Sequence, residues 1–382
     1  MSEERLIPLA EPVLTGRERQ YVLECLDSGY VSSAGSFVRR FEEEFAEVVG
    51  VAHAVACASG TAALHVALRL AGAGPGTAVA VPAFTFIASA NAAHYTGADL
   101  LLVDSEPQTW NMNTALLRDE VITRARLGRR IPEVVEIVHV LGHPADLDPL
   151  VELRDRFGIR IVEDAAESLG ATWTAGPTAG HQVGAVGEFG CFSFNGNKII
   201  TSGGGGMIVT DNGELASAAR HLTTQAKLPG GGYVHDAVGY NYRLTNIAAA
   251  LGTAQLECLE DRLTAKRRIA EDYRRELRRV PGIGSAPSAT WANPTFWLYS
   301  ALLDCDGAPD DLVAGLAKAG AVARRLWPPL HQQKPYVTCE TLGSEVADRI
   351  YHRGVSLPSS ADMSAAEQER VIAAVERLLR AS

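Results

Sequence analysis

Between residues 54 and 210 the sequence alternates short apolar runs with segments of helical periodicity, and no other feature constrains the fold as strongly. Apolar runs bounded by polar or glycine-containing segments are typical of buried strands. The predicted strands are Ala78–Val81, Leu100–Val103, Val134–Val140, Ile159–Glu163, Phe189–Phe194 and Met207–Thr210. The helices predicted between them are Thr61–Leu70, Thr85–Tyr95, Thr114–Ile122 and Pro149–Phe157. This alternation favours an α/β fold in which a mostly parallel sheet is covered by helices on both faces.

After residue 246 the pattern changes. One long helix is predicted from Asn246 to about Val280, because Pro281-Gly282 is a stop signal. An apolar run, a helix, a short strand and a closing helix are predicted at Phe296–Leu303, Pro309–Ala319, Gly320–Arg324 and Ala365–Leu379. The chain has 382 residues, a length that fits two domains. We expect a large α/β domain over residues 1–250 and a smaller α+β domain over residues 251–382.

Composition and charge argue against several classes of partner. The chain has 45 acidic and 35 basic residues and a net charge of −10, whereas nucleic-acid binding needs a basic face. Residues 70–98 carry no charged side chain, but prolines and glycines interrupt them, so they predict buried core rather than a membrane span. The six cysteines form no CxxC pair and the N-terminus lacks a signal-peptide core. Both features predict a cytoplasmic protein.

Two motifs that suggest ligand sites do not meet the requirements of those sites. The glycine run Gly203–Gly206 lacks the Lys-Ser/Thr that closes a phosphate loop, and it leads into a strand rather than a helix. His139 and His143 have the spacing of a helical metal site, but Gly142 and Pro144 flank His143 and break the helix. The sequence therefore predicts neither a nucleotide loop nor a metal site.

Lys198 is the residue with the strongest chemical signal. It follows a predicted strand, and no other Lys or Arg occurs between Arg160 and Arg220. Burial of this lysine would lower its pKa and make the amine a better nucleophile. The alternative is a solvated lysine in a turn.

Two further segments favour the chemical interpretation. Asp164 ends a predicted strand, where a carboxylate can hold a protonated pyridine nitrogen. Gly60 and Thr61 open a predicted helix, whose free amides can bind phosphate. An amine, an acid and a phosphate cradle are the groups that pyridoxal phosphate (PLP) needs from a protein.

The sequence resembles the DegT/StrS family of sugar aminotransferases, which are PLP enzymes of fold type I, over nearly its whole length. The segments that carry the resemblance are Tyr30–Gly35, Ser59–His65, Val81–Phe86, Glu163–Ser168, Ser193–Lys198, Gly239–Arg243, Leu326–His331 and Leu357–Ser360. Each segment is weak evidence alone, and their order along the chain is what makes the resemblance specific.

The resemblance implies a role for each matching residue. Lys198 corresponds to the lysine that binds PLP covalently and then moves the proton, and Asp164 to the partner of the ring nitrogen. Glu167 corresponds to a position beside the ring, and Phe86 to an aromatic residue stacked on it. The residues that correspond to the phosphate cradle are Gly60, Thr61, Ala62 and Ser193.

The resemblance also implies a homodimer with shared active sites. Asn241 corresponds to an asparagine that reaches the phosphate of the neighbouring subunit. The Asn195–Lys198 and Tyr30–Gly35 segments resemble a subgroup that aminates C4 of nucleotide-linked 4-keto-6-deoxysugars with glutamate as donor. For the sugar nucleotide, Arg243 and Arg324 are candidates to contact the diphosphate. Substrate choice is expected to depend on loops that include Tyr30, Trp327 and His331.

Three alternatives remain open at this point. Amination could occur at a sugar C3 ketone or on a cyclitol. A second alternative is a PLP-dependent sugar dehydratase, although in those relatives a histidine replaces the lysine found here at position 198. The third is a non-catalytic regulator with the same fold. The nucleotide, the C2 substituent and the stereochemistry of the amine also stay open.

Overall fold

The computed structural model describes residues 6–14, 16–230 and 232–380. Within these ranges the strands are β1 (His53–Cys57), β2 (Ala78–Pro82), β3 (Asp99–Val103), β4 (Val134–Val138), β5 (Arg160–Asp164), β6 (Thr172–Trp173), β7 (Phe189–Ser193), β8 (Gly206–Thr210), β9 (Ile283–Ser285), β10 (Ala292–Asn293), β11 (Ser300–Leu303), β12 (Arg324–Arg325), β13 (Glu340–Leu342) and β14 (Gly354–Ser356).

The α-helices in the same ranges are α1 (Glu18–Ser28), α2 (Ser36–Val49), α3 (Gly60–Leu70), α4 (Ala88–Tyr95), α5 (Thr114–Arg126), α6 (Asp148–Phe157), α7 (Gly213–Thr223), α8 (Asn246–Leu256), α9 (Leu259–Leu277), α10 (Ala308–Lys318), α11 (Glu345–Arg353) and α12 (Ala365–Arg380). None of the helices in the described residues combines the length and apolarity needed to cross a membrane.

The main sheet has eight strands in the order β1-β8-β7-β5-β4-β2-β3-β13. Strands β7, β5, β4, β2, β3 and β13 run parallel to one another, while β8 is antiparallel to both of its neighbours. Helices α3 and α6 both pack against β5. The predicted mostly parallel α/β sheet is therefore confirmed. Its parallel strands carry their carboxyl ends to one edge, where α/β proteins bind ligands.

The six predicted strands all belong to this sheet, which also contains two strands that were not predicted. β1 is a short, alanine-rich segment, His53–Cys57, whose last four residues are buried, and it pairs antiparallel with β8. β13 lies far along the chain and adds to the β3 edge through Glu340–Leu342. The three residues of β13 have no local hydrophobic signature that sequence periodicity could detect.

The single long helix predicted from Asn246 to Val280 is wrong, because the chain forms α8 and α9 with a break at Glu257 and Cys258. The Glu257 carboxylate accepts hydrogen bonds from Tyr21 Oη at 2.6 Å and Arg40 Nη2 at 3.0 Å, which tie this point to α1 and α2. Acidic residues in the first turn of α9 suit a new helix N-terminus. After the break the packing partners change, since α8 packs against α1 and α2 whereas α9 packs against α12 and β9.

The predicted strand at Gly320–Arg324 is also displaced, since β12 covers only Arg324–Arg325. Residues just before it pair instead with the N-terminal segment. The Ile7 N–H donates to the Gly320 carbonyl and the Val322 N–H donates to the Ile7 carbonyl, both at 2.8 Å. This pairing occupies the backbone groups that a longer β12 would need.

A second, smaller sheet has the order β12-β14-β11-β9. It packs with α9, α10 and α12 around a hydrophobic cluster separate from that of the main sheet. Ile7, near the start of the chain, belongs to this second cluster, whereas Trp297 and Leu326 belong to the cluster of the main sheet. The domain boundary at residue 250 stays a prediction, since segments from both sides of it contribute to each cluster.

Candidate active site

A cavity of about 320 Å³ lies at the carboxyl ends of β5 and β7, beside the start of α3. This volume is in the range of small-molecule sites. Nine of the residues singled out in the sequence line it: Gly60, Thr61, Phe86, Asp164, Glu167, Ser193, Lys198, Arg324 and Trp327. The topology explains why residues distant in sequence meet here, because parallel strands end at the same edge.

Lys198 enters the cavity from a turn that follows β7, in which its N–H donates to the Asn195 carbonyl at 3.1 Å. Only 12% of its side chain is exposed. Burial lowers the pKa of the amine, whereas the carboxylates of Glu167 and Asp164 act in the opposite direction. An amine that releases its proton more readily than an exposed lysine is suited to nucleophilic and proton-transfer chemistry.

Asp164 is the last residue of β5 and is 5% exposed. Its Oδ2 accepts a hydrogen bond from Ser89 Oγ at 2.8 Å, and its Oδ1 accepts one from the Ala166 N–H at 3.1 Å. Burial nevertheless raises the pKa of this carboxyl. A cation placed beside it in the cavity would offset the cost of burying the negative charge.

Glu167 lies on the other side of the lysine, with Oε1 at 3.8 Å from Lys198 Nζ. Its Oε2 accepts a hydrogen bond from the Leu141 N–H at 2.7 Å. Burial raises its pKa from 4.5 to about 7, against the opposing effect of the Lys198 charge. The carboxyl therefore changes charge near neutral pH, next to the amine.

This titration predicts a pH dependence of stability. Between pH values of about 4.5 and about 7 the folded protein keeps a proton on Glu167 that the unfolded chain has released. The contribution of Glu167 to the free energy of unfolding is complete below about pH 4.5 and is lost as pH rises through about 7. In the cofactor-free protein, we expect this free energy to fall by about 2 kcal/mol relative to Glu167→Gln between about pH 5.5 and about pH 7.5.

Urea denaturation of both proteins at the two pH values measures this difference. The variant Glu369→Gln, which removes an exposed carboxyl on α12, is the control and should follow the wild type. Identical pH dependence in wild type and Glu167→Gln would contradict the assigned titration.

The start of α3 forms the opposite end of the cavity. Ser59 caps this helix, since its Oγ accepts a hydrogen bond from the Ala62 N–H at 3.1 Å. Ala62 is thus engaged in the cap, and the N–H groups of Gly60 and Thr61 are those without a carbonyl partner within the helix. A Cβ atom on Gly60 would lie 2.7 Å from Ser193 Cβ, so only glycine permits this close approach of helix and strand. The result is an anion cradle.

Five predicted residues do not line the cavity of this chain, and one of them is Ala62, whose N–H donates to the Ser59 cap. Asn241 and Arg243 are exposed, on the segment that leads to α8, and Tyr30 is 59% exposed. His331 Nε2 lies 2.8 Å from Asp348 Oδ1 on α11, so this hydrogen bond holds its ring away from the cavity lining. The roles given to these residues stay predictions.

The structure adds residues that sequence reasoning missed. Trp297 lines the cavity and its ring centroid lies 3.9 Å from Lys198 Nζ. Ser89 donates a hydrogen bond to Asp164. Thr85 Oγ1 lies 3.0 Å from Ser89 Oγ, and the spacing of these two residues in the sequence is the only local signal for the Thr85–Ser89 pair. Trp297 lies in an apolar run that by itself indicates core, so its position was not predictable.

The arrangement fits PLP. The cradle at Gly60 suits a phosphate, the buried carboxyl of Asp164 suits a protonated ring nitrogen, and Lys198 supplies an amine between them. Phe86 is half exposed on the cavity wall and can cover an aromatic ring. The donor set is thus that of a PLP site.

Comparison with known proteins agrees with this geometry. GDP-perosamine synthase from Caulobacter vibrioides is 39% identical over 99% of this chain and 100% of its own length. A Bacillus subtilis protein provisionally named as a pyridoxal phosphate-dependent aminotransferase, EpsN, is 41% identical over 96% of this chain and 94% of its own length. The crystal structure of a DegT DnrJ EryC1 StrS aminotransferase from Brucella abortus superimposes with a TM-score of 0.87, at 30% identity, over 94% of both chains.

The sequence also matches the model of the DegT/DnrJ/EryC1/StrS aminotransferase family over residues 12–376. The cofactor is therefore pyridoxal phosphate and the protein is a transaminase. The cavity around Lys198 and the match over nearly the whole sequence lead to one conclusion: the chain belongs to the DegT/DnrJ/EryC1/StrS family of sugar aminotransferases.

Proposed function

We propose that this protein transfers an amino group from L-glutamate to the C4 ketone of a nucleotide-linked 4-keto-6-deoxyhexose. The observation that carries the proposal is the similarity to GDP-perosamine synthase over nearly the whole of both chains, because perosamine is a 4-amino sugar. The cavity supports it, since the amine of Lys198 lies among the groups that transamination needs.

The residues around the cavity have different roles in the proposed reaction. When bound, PLP supplies an electron sink for the carbanion that forms on the amino acid or sugar carbon. Lys198 is placed to move the proton to and from that carbon as a general acid–base. Asp164 is placed to keep the ring nitrogen protonated, and Glu167 changes charge next to the lysine.

Arg324 is the cationic side chain assigned to an anionic group of the substrates. It lines the cavity, and its charge is close enough to Lys198 to favour the neutral amine. A guanidinium binds a carboxylate or a phosphate through paired hydrogen bonds. Arg324 therefore provides a local site for an anion despite the net charge of −10.

The phosphate cradle gives a test of cofactor binding. Gly60→Ala would place a methyl group 2.7 Å from Ser193 Cβ, and the strand end would have to move. We expect the affinity for PLP to fall about ten- to hundredfold, as measured by absorbance titration of the cofactor-free protein. Gly284→Ala on β9 is the matched control, because a Cβ there has no atom within 4 Å. Equal affinity in both variants would place the phosphate elsewhere.

We further propose a homodimer in which Asn241 reaches the neighbouring active site. Asn241 is exposed and lies outside the cavity of its own chain. Just before it, Tyr233 and Val238 expose 91% and 74% of their surface, an apolar area that a second subunit would cover. The cytoplasmic location expected above stays a prediction.

Incubation with L-glutamate and a panel of nucleotide-linked ketosugars tests the proposal. Mass spectrometry and NMR of the products should identify a 4-amino-6-deoxyhexose, with the GDP-linked substrate tested first. Products aminated at C3, or reaction with cyclitol ketones alone, would overturn the proposed substrate. A dehydrated product would indicate the dehydratase activity instead. A protein that takes up PLP and converts no member of the panel would favour the regulator.

A further inference from the structure

Trp297 lies against the amine of Lys198. The ring centroid is 3.9 Å from Lys198 Nζ, and the indole is only 2% exposed. Its ring stacks beside that of Trp327, with centroids 6.3 Å apart and planes inclined by 17°. The electron-rich face of an indole attracts an ammonium group, most strongly where water is excluded. Trp297 therefore favours one position of the lysine amine.

Trp297 also holds the backbone that carries Lys198. Its Nε1–H donates to the Asn197 carbonyl at 2.6 Å, one residue before the lysine. The turn is closed on its other side by the Lys198 N–H, which donates to Asn195. One side chain from the second half of the sequence thus contacts the lysine turn at both its backbone and its amine.

Trp297 is in turn fixed by a buried lysine that the proposed reaction does not use. Lys266 on α9 donates from Nζ to the Trp297 carbonyl at 2.9 Å and to the Ser359 carbonyl at 2.5 Å. A second restraint comes from Gly142, whose carbonyl accepts from the Thr295 N–H at 2.9 Å. A Cβ on Gly142 would lie 2.9 Å from the Trp297 nitrogen, so the two segments are in close contact.

Taking the proposed function as its basis, we infer that Trp297 is a positioning residue for Lys198 and that Lys266 positions Trp297. The indole fixes the Asn197–Lys198 turn through its N–H and holds the protonated amine against its ring. The hydrogen bonds of Lys266 Nζ fix the tryptophan backbone from α9. This connection makes the placement of Lys198 depend on α9.

The charged groups that face the Lys198 amine are known, so the effect of the Trp297 ring on the basicity of the amine can be separated from the effects of these groups. Glu167 and Asp164 favour the ammonium form, while Arg324 and burial favour the neutral amine. A change from Trp297 to methionine keeps the charged side chains of Glu167, Asp164 and Arg324, fills much of the space, and removes both the ring and the N–H donor to Asn197. Phenylalanine retains a ring face and loses only the N–H donor.

The experiment measures the reactivity of Lys198 in the cofactor-free full-length protein. Acetic anhydride labels the amine over a range of pH, and mass spectrometry quantifies the peptide that contains Lys198. The midpoint of the pH profile reports the basicity of the amine, and its upper plateau reports access of the reagent. For Trp297→Met we expect a midpoint at lower pH, so that the reactive fraction near neutral pH rises about fivefold.

Trp297→Phe keeps a ring face but loses the N–H donor to the turn, so it should shift the midpoint in the same direction as Trp297→Met by a smaller amount. Lys266→Met should also shift it in that direction by a smaller amount. Trp291→Leu, a tryptophan outside the cavity lining, is the matched control and should match the wild type. Equal midpoints in wild type and Trp297→Met would overturn the role of Trp297. A shift in Trp297→Met without one in Lys266→Met would overturn that of Lys266. No substrate or PLP is used, so failure of the proposed function would leave this result unaffected.

Discussion

Replacing Lys198 with alanine is expected to reduce amino transfer by at least about 10⁴-fold, because the change removes both the nucleophile and the general acid–base. The side chain lies in the cavity with 12% exposure, and no other lysine lines that cavity. None of the described residues that line the cavity can therefore supply another lysine amine in its place. Turnover is measured with glutamate and the preferred ketosugar, and circular dichroism confirms folding.

The matched control for this change is Lys318→Ala, which removes an exposed lysine from the end of α10. Its turnover should equal that of the wild type. Retained amino transfer in Lys198→Ala would exclude Lys198 as the proton-transfer group, even if the variant still binds PLP.

Replacing Asp164 with asparagine is expected to lower kcat by about 10²- to 10³-fold while the fold is preserved. The amide keeps the size of the side chain and can still bond with Ser89 and the Ala166 N–H, as the carboxylate does at 2.8 Å and 3.1 Å. It loses the negative charge that would stabilise a protonated ring nitrogen. Steady-state kinetics separate this effect on kcat from any effect on KM.

Asp155→Asn removes an exposed carboxylate from α6 and serves as the control. A kcat for Asp164→Asn close to that of the control would show that the charge at this position is not needed. The assignment of the acid at the end of β5 would then be wrong.

The central sheet could be predicted because its signal is local. Each of the strands β2 to β5 contains a short apolar run, and the helices between them have their own periodicity. β13 joins the same sheet from residues 340–342, and such long-range pairing leaves no local trace. The break between α8 and α9 also has no local trace, and Glu257 at this break bonds with Tyr21 and Arg40, which are distant in the sequence.

The candidate site also contains some residues that could be predicted from the sequence and others that could not. Asp164, Lys198 and Gly60 could be identified because each follows a strand or opens a helix at the ligand-binding edge of the sheet. Trp297 follows α9 in the sequence and reaches that edge from a distant segment. Its neighbours in the sequence indicate only buried core. Its place beside Lys198 is set by Lys266 and Gly142, which lie on different elements.

The most direct test of the central claim follows nitrogen from donor to sugar. The wild-type protein and Lys198→Ala are incubated with ¹⁵N-labelled L-glutamate and a GDP-linked 4-keto-6-deoxyhexose, and the product is examined by ¹⁵N-detected correlation NMR. We predict that ¹⁵N appears on C4 of the sugar with the wild-type protein and is absent with Lys198→Ala. Label on C3, or equal transfer by the two proteins, would contradict the account.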